Sequence, residues 1–170
     1  MVILRKKIAG LSAPTLERFL LRARGAVGVR YPVNVLVTSN QELRSLNRQF
    51  RGTDQATDVL SFPASRMASS HTKQVAGDVA ISADIARENA RRLGHTTAEE
   101  IKILLLHGVL HLAGFDHERD QGEMALEEVR LRRQLKLEVG LIERVNSSDG
   151  NTVKRQSRGK RHFSAERNTA

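Results

Sequence analysis

A chain of 170 residues with a net charge of +9 and no cysteine is long enough for one domain with its own hydrophobic core and a short extension. The missing cysteines exclude disulfides and every thiolate-ligated metal site, so any metal must be held by His and carboxylates. No apolar run approaches the roughly 20 residues of a membrane span, and Arg5, Lys6 and Lys7 follow the first apolar residues, the reverse of a secretory signal. The chain therefore reads as a cytoplasmic protein that does not enter membranes.

Val2 to Lys6 alternates weakly and predicts a short strand. Ser12 is an N-cap candidate, with Pro14 in the first turn of a helix reaching about Arg24 through Leu16, Phe19, Leu20 and Ala23. Val33 to Val37 is a second strand, and Asn40 to Phe50 a second helix with Leu43 and Leu46 inward. Thr57 to Phe62 is a third strand, stopped by Pro63; the polar stretch from Ala64 to Val75 is a loop. Gly77 to Ser82 is a fourth strand, and Ser82 caps a helix that Gly94 closes after Leu93.

Thr97 with Glu100 predicts a capping box for the next helix. Ile101, Ile103 to Leu106, Val109, Leu110 and Leu112 surround its axis, so this helix is central and buried. A last helix from about Asp120 to Glu138 is read as amphipathic through Leu126, Val129, Arg133 and Leu137. The order β-α-β-α-β-β-α-α-α predicts a single α/β (α+β) domain over residues 1–146, a small, mostly four-stranded mixed sheet flanked by about five helices. Residues 147–170 hold six Lys and Arg against two acids and almost no aliphatic residue, which predicts a basic disordered tail. Basic charge of this kind attracts polyanions, nucleic acid first among them.

The chemistry is concentrated in His107-Gly108-Val109-Leu110-His111-Leu112-Ala113-Gly114-Phe115-Asp116-His117. His107 and His111 stand at i and i+4, so one helix face presents both imidazoles. Gly114 can turn the chain back through a left-handed conformation and bring His117 in as a third ligand. Three neutral imidazoles suit one Zn²⁺ per chain and leave a fourth position open, as in catalytic zinc sites. The peptidase form of this motif has Glu directly after its first His as general base; here that position is Gly108.

These residues resemble the YbeY family of bacterial endoribonucleases. Its HGxLHLxGYDH signature is met by His107 through His117 with Phe115 in place of Tyr, and its NxxFRxxxxxTDVLSFP block by Asn47, Phe50, Arg51 and Thr57 through Pro63. Its GDIxIS block is met by Gly77 through Ser82, and the resemblance spans about residues 30 to 135. It implies a zinc-dependent, single-strand-specific endoribonuclease that matures the 3′ end of small-subunit ribosomal RNA and serves ribosome quality control. Ribosomal RNA, ribosomal subunits and other maturation factors are the implied partners. It also makes Arg51 the candidate for gripping the scissile phosphate, which a planar guanidinium does well.

Asp58 and Asp116 are candidates for orienting a metal-bound His, while turn chemistry is the expected role of Asp78 and core packing that of Phe62. His71, His95 and His162 are isolated and not read as ligands, His95 being a turn residue after Gly94. Two readings stay open beside the nuclease: a ribosome-assembly or RNA-binding factor with a structural zinc, and a zinc peptidase, which Gly108 weakens.

Overall fold

Serine caps set three of the five helices of the computed structural model, which describes residues 1–64, 75–117 and 119–137. Ser12, Ser39 and Ser82 each accept a hydrogen bond from the backbone N–H three residues on, at 3.3, 3.2 and 3.2 Å. They start α1 (Ala13–Val27), α2 (Asn40–Arg51) and α3 (Ala83–Leu93). These helices alternate with β1 (Val2–Leu4), β2 (Val33–Thr38), β3 (Val59–Pro63) and β4 (Gly77–Ser82); α4 (Thr97–Leu112) and α5 (Glu123–Leu135) follow. The sheet runs β1-β2-β4-β3, with β3 antiparallel to β4 and the other pairs parallel. The predicted mixed four-stranded sheet and five helices are thus present, while the loop from Ala64 to Val75 and the tail fall largely outside the described residues.

Helix α4 is the spine of the main core. Ile101, Leu105, Leu106, Val109 and Leu110 are fully enclosed by β3, β4 and helices α1, α3 and α5. Burying a large aliphatic side chain stabilises by about 1.5–3 kcal/mol, so this helix carries a large share of the fold. Helix α2 covers the opposite face of the sheet through a smaller cluster built on Leu43, Leu60 and Ala80.

Several boundaries differ from those expected. Helix α1 continues through Gly25 to Val27 and ends where Gly28 takes the left-handed conformation at φ 85°. The capping box belongs to Thr96 and Glu99, not to Thr97 and Glu100. Two threonines followed by two glutamates offer both registers, and core packing chooses the one that turns Glu100 inward. Helix α5 begins only at Glu123, because Asp120 stands ahead of it and accepts from the N–H groups of Gly122 and Met124, both at 2.8 Å. Its inward face is also not the expected one. Leu126 and Val129 are 75% and 39% exposed, whereas Met124, Leu131 and Leu135 are buried. Of the expected stripe only Leu137 is buried, just beyond the helix end.

Candidate metal centre

The i, i+4 spacing on α4 places the His107 and His111 Nε2 atoms 3.1 Å apart. The chain leaves α4 after Leu112, and Gly114 turns it at φ 99°. That conformation is costly for any residue with a β-carbon. The turn directs the Phe115 carbonyl back onto α4, where it accepts from His111 Nδ1 at 3.0 Å. It also delivers His117, whose ring centroid lies 5.5 Å from that of His107 and 5.1 Å from that of His111. One nitrogen from each of the three rings falls within 4.8 Å of the others.

The donor set fits a metal ion. Two nitrogens on a tetrahedral zinc with bonds of 2.0–2.1 Å sit about 3.3 Å apart, close to the Nε2 separation here. The outer nitrogens of His107 and His111 are both engaged, which fixes the rings with Nε2 inward. The His111 pKa is held below its ordinary value by burial, then by the neighbouring His107. At neutral pH that ring keeps its lone pair available for a ligand bond.

Glu128, on α5, accepts from His107 Nδ1 at 2.9 Å and from Arg132 Nη2 at 2.5 Å. Burial raises the Glu128 pKa, but the His107 hydrogen bond and the Arg132 charge outweigh it, and the group is held below its ordinary value. An anionic carboxylate behind an imidazole strengthens it as a metal ligand. Sequence reasoning missed Glu128. The signal was its place one helical turn after Met124 and three residues before Leu131, on the buried stripe.

The residues expected in that supporting role lie near the imidazoles, Asp58 in the cleft beside His107 and Asp116 close enough to act on the His111 charge. The Asp58 carboxylate accepts from the Val59 N–H at 2.8 Å and from the Thr57 hydroxyl at 3.4 Å. Asp116 pairs with Arg119 at 3.4 Å. Asp78 accepts from Asn34 on the neighbouring strand at 2.9 Å, in place of the turn role expected for it. His95 is more than a turn residue: its ring is enclosed and bonded to Glu100 at 2.6 Å. His71 and His162 lie outside the described residues.

Arg51, in the last turn of α2, donates to the Ser61 carbonyl at 3.0 Å. Ser61 in turn donates from Oγ to the Gly108 carbonyl at 3.2 Å, beside His107. This links the exposed guanidinium to the helix that bears the imidazoles. Gly108 itself packs on the sheet: a β-carbon there would lie 2.7 Å from Val79 Cγ1 and 3.0 Å from Ser61 Oγ.

A profile of the family described as Endoribonuclease YbeY matches residues 8–136. The chain belongs to the YbeY family. An Endoribonuclease YbeY of Koribacter versatilis is 57% identical over 158 residues, 93% of this chain and 100% of that protein. Those of Solibacter usitatus and Helicobacter pylori strain G27 are 50% and 41% identical, each over 86% of this chain and 95% and 89% of their own. The solution structure of TM1509 from Thermotoga maritima is similar at a TM-score of 0.54 and 31% identity, covering 91% of this chain and all of that one. A YbeY family assignment supports a nuclease, a hydrolase acting on RNA. No helix among the described residues is long and apolar enough to cross a membrane.

Glu128→Gln keeps an acceptor for His107 but removes the charge, and Glu128→Ala removes both. Loss of such a partner commonly costs about 10–100-fold in metal affinity. We expect Gln near the lower figure and Ala near the upper, read by competition with a chelator. Unchanged affinity in the Ala variant would show that the carboxylate does not tune the ligand.

Proposed function

We propose that this protein is a zinc-dependent endoribonuclease, its ion held by His107, His111 and His117, that cleaves single-stranded ribosomal RNA. Maturation of the small-subunit 3′ end and ribosome quality control, in the cytoplasm and with ribosomal subunits and other maturation factors as partners, are its proposed setting. The observation that carries this reading is the arrangement of His107 and His111, two Nε2 atoms 3.1 Å apart with both outer nitrogens engaged. When bound, the ion supplies Lewis acidity toward water and phosphoryl oxygen. Glu128 and the Phe115 carbonyl hold two of the rings. Arg51 keeps N–H groups beyond the one given to Ser61, and these grip the scissile phosphate and stabilise its developing charge. Residues 147–170 add non-specific affinity for the phosphate backbone.

The test is cleavage of defined single-stranded and duplex RNAs by zinc-loaded and chelated protein. Cleavage that needs the ion and prefers single strands supports the nuclease. RNA binding without any cleavage favours an assembly factor with a structural ion. A peptidase is disfavoured by the closed space at Gly108.

Arg51 has its own test. Loss of a single charge-stabilising donor commonly costs about 10²–10³-fold in turnover, and we expect Arg51→Ala to fall in that range with zinc content unchanged. Its melting temperature should drop only slightly, since a single part-buried hydrogen bond is lost. Lys should rescue partly, being a point charge and not a fork. Full turnover in the Ala variant would assign the phosphate contact elsewhere.

A further inference from the structure

Beside His107 a cleft of about 300 Å³ opens between β3 and helices α3, α4 and α5. That is at the lower end of ligand-pocket size, room for a single flat ring system. Leu93 and Leu104 give it apolar walls, and Asp58, Glu100 and Glu128 line it with carboxylates. The cleft's guanidinium, Arg132, is already paired with Glu128. An interior of this sign repels phosphate and accepts hydrogen-bond donors.

Most of its polar groups are occupied. Glu128 serves His107 and Arg132, and Glu100 serves His95 Nε2. Three polar atoms are left over, Glu100 Oε1 among them, since its hydrogen bond falls on Oε2. The Asp58 hydrogen bonds both fall on Oδ1, so Oδ2 has no partner among the described residues. The His95 side chain is only 3% exposed, and its Nδ1 is buried with no hydrogen-bond partner. A buried polar atom without a partner is costly, so it calls for a partner from outside the protein.

We propose that this cleft is a subsite for one unpaired nucleobase beside the scissile phosphate, selective for a base with an exocyclic amino group. The inference rests on the ribonuclease reading above. Leu93 and Leu104 take the faces of the ring, and Asp58 Oδ2 accepts from the amino group. Cytosine and uracil differ at that position, an N4 donor against an O4 acceptor. Amino-bearing bases are therefore preferred and uracil is rejected. Asp58→Asn inverts the choice, because the amide oxygen keeps the Val59 N–H and the NH₂ takes the open side.

The experiment titrates zinc-loaded full-length protein with cytidine and uridine 5′-monophosphates, read on the methyl signals of Leu93 and Leu104. In parallel, RNAs that differ only by C or U next to the cleaved bond are compared for kcat/KM. About tenfold preference for C is expected in both, the effect of one charge-assisted hydrogen bond, reversed toward U in Asp58→Asn. Should that variant fold poorly, Leu93→Phe fills the cleft from its wall and is expected to abolish the C preference. Equal binding of the two nucleotides, or a preference that neither variant changes, overturns the subsite even where RNA is cleaved. RNA left intact by the wild-type protein overturns the nuclease reading instead, and the nucleotide titration still decides whether the cleft binds a base.

Discussion

His111→Ala is expected to lose bound metal and RNA cleavage together. Like His107, His111 is engaged at both nitrogens: its Nδ1 donates to the Phe115 carbonyl and its Nε2 faces His107 at 3.1 Å. Burial and the neighbouring His107 keep it uncharged at neutral pH. Removing it leaves only His107 on α4 and His117 on the turn, with ring centroids 5.5 Å apart, too few ligands to close a zinc site. Metal content should fall from about one ion per chain toward zero, and cleavage to the level of chelated protein. Zinc at 100 times its Kd should stabilise the wild type by about 2.7 kcal/mol, and this increment should vanish in the variant. Elemental analysis, melting with and without zinc, and cleavage of a defined RNA check the three parts. A variant that holds no metal yet cleaves at full rate would remove the imidazoles from the reaction. One that keeps its metal would show that other side chains hold it.

The second large effect is expected at Gly108. Its missing side chain lets α4 lie directly on β4, and an added β-carbon would meet Val79 Cγ1 at 2.7 Å. Val79 is 1% exposed and β-branched, so it has little freedom to move aside. Overpacking of this kind costs about 1–3 kcal/mol, against a gain of up to about 1 kcal/mol from better helix propensity. Gly108→Ala should therefore be destabilised by up to about 2 kcal/mol, measured by denaturant unfolding. Gly108→Glu adds a carboxylate against the buried sheet face and should fail to give a folded protein. Installing the peptidase glutamate thus cannot convert this centre into a protease, because the position faces the core and not the metal. A folded Gly108→Glu variant would show that α4 can shift off the sheet.

The His107-His111 pair was legible because a helix with i, i+4 imidazoles leaves little choice of geometry, and Gly114 marked the turn that brings His117 round. The order of elements was legible from Ser12, Ser82 and the apolar run of α4. What was hidden depended on helix phase. Reading α5 through Leu126 and Val129 pointed Glu128 at solvent, whereas the true stripe through Met124, Leu131 and Leu135 points it at His107. A 13-residue helix with charges on every side gives a weak phase signal, and tertiary contact decides. The Thr97–Glu100 capping box erred by one residue for a related reason. Glu100 looked like a cap because it is charged, yet it is spent on His95 inside the fold. Pairing across distant segments is not a local property, so neither Glu128 nor Glu100 could announce its partner.

Because Glu128 grips a ring on α4 from a helix that comes after the His117 turn, any ion held by the imidazoles would be thermodynamically linked to the docking of α5. An ion that steadies the imidazoles also tightens the attachment of α5, and a chain that frays at Leu135 loosens its hold on the ion. In the zinc enzyme proposed above, scarcity of the ion would then be felt first as local opening at the end of α5, before the sheet and α4 are disturbed.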